Sequence, residues 1–137
     1  DFNHAKDSGI DLLAERTKII KHQGFEALAE TISKGMFPDE SQQQWRKEFF
    51  QRIIDNDEDA YLHTFGSLMK WGLDDKVSEI KHPTLVIASD MDYTSVDYKK
   101  AYTSKMANAK LIIVENSRHG IVLDQAEKLN KELLKFL

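Results

Sequence analysis

The sequence predicts an α/β protein in which a helical segment, residues 1–72, precedes a βαβα unit, residues 73–137. Three observations carry that prediction. Up to Gly72 the apolar residues recur at spacings of three and four and nowhere alternate with period two. After Pro83 come two short β-branched runs, Thr84 to Ser89 and Leu111 to Val114. A helix-period stretch lies between those runs and another follows them. Strand, helix, strand, helix implies parallel strands joined by a crossover.

In the helical segment, Leu12, Leu13, Ile19 and Ile20 share one face of a helix from Ile10 to His22, and Gly24 is its stop. Phe25, Leu28, Ala29, Ile32 and Met36 define a second helix that Gly35 and Pro38 end. Trp45, Phe49 and Ile53 lie one turn apart in a third, from about Glu40 to Asn56. Tyr61, Phe65, Leu68 and Met69 belong to a fourth, from about Glu58 to Trp71. The aromatic residues Trp45, Phe49, Phe50, Tyr61, Phe65 and Trp71 read as packing faces. Asp55, Asp57, Glu58 and Asp59 lack the glycine and distant glutamate of a calcium loop, so they read as a solvated turn between helices.

In the second segment, the run Thr84 to Ser89 reads as a strand buried on both faces, as in a parallel sheet. A helix from about Ser95 to Ala107 leads to the strand Leu111 to Val114. The final helix carries Ala126, Leu129, Leu133 and Phe136 on one face, with Asp124 as its N-cap. Two parallel strands are too few for a self-sufficient sheet of this type, so the chain reads as the end of a larger one. Its start at Asp1 without an initiator Met fits the same expectation.

Composition narrows the function. Charged residues make up 31% of 137, and 19 Lys and Arg against 23 Asp and Glu leave a net charge of -4. No basic surplus exists to displace counterions from a nucleic acid, so none is expected as a partner. No apolar run reaches the roughly 20 residues that span a bilayer, so no membrane is expected either. With no cysteine in the chain, disulfides, thiolate metal sites and cysteine nucleophiles are all excluded. His4, His22, His63 and His82 show no metal-ligand spacing and read as structural or exposed. The expected location is the cytoplasm.

Chemistry is expected where ligands bind in open parallel sheets, beyond the carboxyl ends of the strands. Ser89-Asp90-Met91-Asp92-Tyr93 leaves the first strand, and Glu115-Asn116-Ser117-Arg118-His119-Gly120 leaves the second. Adjacent strands lie about 4.8 Å apart, so the two loops can bring an aspartate to the histidine. The aspartate would fix the imidazole tautomer, and the histidine would act as a general base toward a hydroxyl.

The stretch Pro83 to Asp92, followed by Leu111-Ile112-Ile113-Val114 and Ser117-Arg118-His119-Gly120, resembles the C-terminal third of α/β-hydrolase-fold enzymes. There a strand of the type P-x-L-V-I-x-G-x-x-D delivers the acid of a catalytic triad, and the next strand and loop deliver its histidine. The resemblance makes Asp92 the acid and His119 the base, 27 residues apart and in the family's order. Asp90 is the rival for the acid. Ser89 stands where glycine is common, which changes the turn and removes no catalytic group.

The segment 1–72 is similar to the helical cap of such enzymes. Arg16 and the stretch Gly24-Phe25-Glu26-Ala27-Leu28-Ala29 look like small esterases and enol-lactonases. The implied substrate is a carboxylic ester or related small acyl compound, with no metal or organic cofactor. The family's nucleophile sits in G-x-S-x-G. None of Ser8, Ser33, Ser41, Ser67, Ser78, Ser89, Ser95, Ser104 and Ser117 has glycine on both sides at that spacing. The chain is therefore expected to hold acid and base without nucleophile, to be inactive alone, and to self-associate through an exposed strand edge. A non-catalytic ligand-binding relative and a stand-alone interaction module are the alternatives.

Overall fold

The computed structural model describes residues 11–73 and 76–137, which form two compact units, one ending at Gly72 and one beginning at Leu73. The expected helix start at Ile10, and His4 and Ser8, lie outside the described residues.

The first unit is helical. Helix α1, Leu12–Gln23, is capped by Asp11, whose carboxylate accepts from the Ala14 amide at 2.9 Å. It stops at Gly24, whose φ of +89° is a backbone conformation that a side chain strains. Helix α2, Phe25–Met36, follows at once and buries Leu28, Ala29, Ser33 and Met36. Phe37, fully buried beyond its end, meets the rings of Trp45 and Phe49 at 6.0 and 6.1 Å. The predicted third helix is two pieces: a 3₁₀ turn, Glu40–Gln42, opened by a capping box between Asp39 and Gln42, and α3, Gln43–Ile54. Asp57 then caps α4, Glu58–Leu68, accepting from the Ala60 amide at 2.8 Å. Arg16 lies 3.8 Å above the Phe65 ring and donates to the Tyr61 hydroxyl, joining α1 to α4.

The second unit holds a 3₁₀ turn, Val77–Glu79, strand β1, Thr84–Ser89, helix α5, Val96–Thr103, strand β2, Ala109–Val114, a one-turn helix α6, Ile121–Asp124, and helix α7, Ala126–Phe136. The two strands pair in parallel from Thr84 with Ala109 to Ser89 with Val114. Their carboxyl ends therefore coincide, and the loops after Ser89 and Val114 start side by side.

Three expectations need correction. Strand β2 begins two residues earlier than its apolar run, because Ala109 and Lys110 extend the ladder despite the exposed lysine. Asp124 does not cap the last helix. It ends α6 and turns its carboxylate to the loop before it, while Gln125 holds the N-cap position of α7. Strand β1 is fully buried only at Ala88 and Ser89, with Thr84 to Ile87 half-buried. Helices α5 and α7 pack on both strands, but two strands offer a narrow surface among the described residues, and Ile113 stays 41% exposed. No described helix is long and apolar enough to cross a membrane.

Candidate active site

The β1 loop and the β2 loop are tied to each other by bonds that involve neither Asp92 nor His119. The Asp90 amide donates to Val114 O at 3.1 Å and the Met91 amide to Ser117 O at 3.0 Å, continuing the ladder past the strands. The Asp90 carboxylate takes the amides of Asn116 and Ser117 at 3.0 and 3.1 Å. Those amides, Ser117's above all, hold the Asp90 carboxyl below the usual carboxylate range. Asn116 has a φ of +59°, the left-handed conformation that asparagine tolerates best after glycine, and this turns the chain toward Asp90.

Beyond that turn Ser117 is fully buried. Its hydroxyl donates to Asp124 Oδ1 at 2.8 Å and lies 3.1 Å from the Ser89 hydroxyl. The other oxygen of Asp124 accepts from the Arg118 amide at 3.0 Å, and Gln125 donates to Asn116 O at 2.9 Å. The backbone leading into His119 is thus fixed from both sides.

This bracing sets His119 against Asp92. Nδ1 of the imidazole lies 2.8 Å from Asp92 Oδ1. A carboxylate only accepts, so Nδ1 carries the proton and Nε2 is left as the base. The same Asp92 oxygen accepts from the Tyr93 amide at 2.7 Å, and Oδ2 accepts from Lys99 Nζ at 2.9 Å. The ring of Tyr93 leans over the imidazole with centroids 4.9 Å apart. Asp92 is 16% exposed and His119 54%, so a shielded carboxylate stands behind an accessible imidazole. Burial pushes the Asp92 carboxyl up, but the bonds from His119, Lys99 and the Tyr93 amide together outweigh it and hold it well below the usual range. Burial and the charge of Asp92 push the Tyr102 phenol up.

Of the two aspartates proposed for the acid, the structure brings Asp92 to His119 and commits Asp90 to loop amides. Two participants were missed in the sequence. Lys99 looks like its neighbour Lys100 until the helix is phased. Lys99 then shares the buried face with Thr103, while Lys100 points outward and pairs with Asp97 at 3.0 Å. Tyr93 gave no signal beyond following Asp92. Among the described residues no three His, Cys, Asp or Glu side chains gather as a metal ion would need.

No protein-family model matches the chain. Over 72 residues it is 26% identical to a proline iminopeptidase of Thermoplasma volcanium, a match that covers 53% of the chain and 24% of that protein. Its structure is similar to the enol-lactonase from Burkholderia xenovorans LB400, with a TM-score of 0.80 and 17% identity over 92% of the chain and 50% of that structure. The bromoperoxidase from Bacillus anthracis aligns with a TM-score of 0.79, and an esterase from Exiguobacterium antarcticum with 0.77. Each of those two is 20% identical over 90% of the chain and 47% of its own length. The chain spans about half the length of these structures, and it has the fold of the C-terminal part of an α/β-hydrolase.

Proposed function

We propose that this chain carries the acid and the base of a serine hydrolase that acts on carboxylic esters or related small acyl substrates. The observation that supports this reading best is the 2.8 Å bond from His119 Nδ1 to Asp92, formed at the coincident carboxyl ends of two parallel strands. In the reaction, a serine hydroxyl outside these 137 residues attacks the substrate carbonyl. His119 removes its proton through Nε2 and returns it to the leaving alcohol. Asp92 keeps the ring oriented and offsets the positive charge that the imidazole gains. In this reading the segment that precedes Leu73 takes the part of the helical cap of such enzymes, and the absence of cysteine suits a cytoplasmic setting.

The test uses the chain joined to its upstream coding sequence. There His119→Ala should lower kcat by roughly 10⁴–10⁶ with little change in KM, as removal of a triad member does. A variant that keeps most of its rate on p-nitrophenyl esters would show that the base is elsewhere.

A further inference from the structure

One buried charge near the site has no place in the reaction as proposed. Lys99 is 8% exposed on its side chain, yet it carries an ammonium group, which is expensive to bury unless paired and hydrogen-bonded. It is paired on purpose-built geometry. Nζ donates to Asp92 Oδ2 at 2.9 Å and to the Thr94 carbonyl at 2.8 Å, so helix α5 delivers a cation to the back of the acid. The two oxygens of Asp92 are thereby divided: Oδ1 faces His119 and Oδ2 faces Lys99.

We propose that Lys99 is a positioning residue, holding Oδ2 of Asp92 so that Oδ1 is presented to His119 and opposing the positive charge of the protonated imidazole across that shared carboxylate. The inference rests on the reading of His119 as the base.

Nδ1 lies 2.8 Å from one oxygen of Asp92 and Lys99 Nζ 2.9 Å from the other, so the two cations share a single carboxylate. A like charge on the same carboxylate disfavours the imidazolium. Lys99 therefore makes His119 a weaker trap for the proton than Asp92 alone would, which favours handing the proton on to a leaving group. The neighbouring charged groups are otherwise engaged. Asp90 serves the amides of Asn116 and Ser117, and Asp124 serves Ser117 and the Arg118 amide. Asp97 and Lys100 pair on the outer face of α5, and Tyr102, also on α5, stays protonated with its phenol pushed up. Tyr93 leans on the imidazole, Tyr98 packs its ring against Tyr102, and Arg118 precedes His119.

The experiment is an NMR titration of the His119 imidazole in the full 137-residue chain, compared with Lys99→Met and Lys99→Arg. Methionine keeps the stem and removes the charge, so the His119 midpoint should rise by roughly 0.5–1 pH unit, the half-exposed ring placing the effect toward the aqueous end of the Coulomb range. Arginine restores the charge and should return the midpoint most of the way. A midpoint unchanged or lowered in a folded Lys99→Met chain overturns the proposal, because a lysine that merely fills space would leave the titration where it was. Should the Met chain fail to fold, the unmutated chain decides. The ¹⁵N signal of Lys99 Nζ should shift in step with His119 as the imidazole takes up its proton, and a signal blind to that step overturns the proposal. No turnover enters these readouts. Their failure removes the role of Lys99 alone, whereas a fully active His119→Ala hydrolase removes the reading beneath it.

Discussion

Replacing Asp92 with asparagine should destabilise the chain markedly at neutral pH, and the loss should fade in acid. The substitution keeps the shape and deletes the charge. Lys99, 8% exposed, then faces an amide in place of a carboxylate, with only the Thr94 carbonyl as a full acceptor. Removing one partner of a buried pair costs about 3–5 kcal/mol. Asp92 is 16% exposed and an Asn oxygen still accepts one bond, so about 2–4 kcal/mol is expected here. For a chain of this length that is a fall of roughly 10 °C in Tm. The pH dependence follows from the depressed carboxyl. Unfolded, an aspartate titrates near 3.9, and in the fold Asp92 titrates lower. Below about pH 4 the unfolded chain therefore takes up the proton first. The contribution of Asp92 is complete above about pH 5 and drains away as pH falls through the folded value. Urea unfolding at pH 7 and at pH 3 measures both parts. If Asp92→Asn were as stable as the native chain at pH 7, or lost stability in acid as steeply, the ion pair would be energetically idle.

Further outcomes are expected. The chain by itself should hydrolyse p-nitrophenyl acetate no faster than its Asp92→Ala, His119→Ala double variant, and triad-dependent turnover would contradict the proposal that the nucleophile lies outside these residues. Asp124→Ala should cost about 1–3 kcal/mol in urea unfolding, since the buried Ser117 hydroxyl and the Arg118 amide lose their acceptors. Leu28→Ala, at a side chain 1% exposed in the helical unit, should cost about 2–5 kcal/mol. Among the described residues the outer edges of β1 and β2 are unpaired, and Ile113 is exposed beside them. Sedimentation equilibrium at micromolar concentration should therefore show self-association, and a cooperative monomer would refute it.

The legible parts of this chain are those whose signal is local. The helix stop at Gly24 and the β-branched runs at Thr84 and Leu111 each act within a few residues. That an aspartate of the β1 loop would reach His119 was legible because parallel register converts a separation along the chain into neighbouring loops, and the family resemblance singled out Asp92 over Asp90. What the sequence concealed depends on side-chain direction across elements. Asp124 has every local mark of an N-cap, but two donors in the β2 loop, Ser117 and the Arg118 amide, compete for its carboxylate and take it. Lys99 is distinguishable from Lys100 only after the helix is phased against the sheet. The exposure of Thr84 to Ile87 depends on what covers the strand, which its own composition cannot encode.

These hidden contacts also explain why Asp92 and His119 meet without relying on their mutual bond. The β2 loop is held by Asp90 through two amides and by Asp124 through a hydroxyl and an amide, and Asn116 supplies the turn between them. Asp92 is held separately, by Lys99 and the amide of Tyr93. The half-exposed histidine contributes little to this framework, because a bond open to water is worth far less than the buried ones behind it. Removing the imidazole should therefore leave both loops in place, while removing Asp90 or Asp124 should move His119 away from an intact Asp92. A site arranged in that order spends its binding groups on backbone position first, and the imidazole arrives already aimed, with Nε2 free to exchange a proton without the loops having to move.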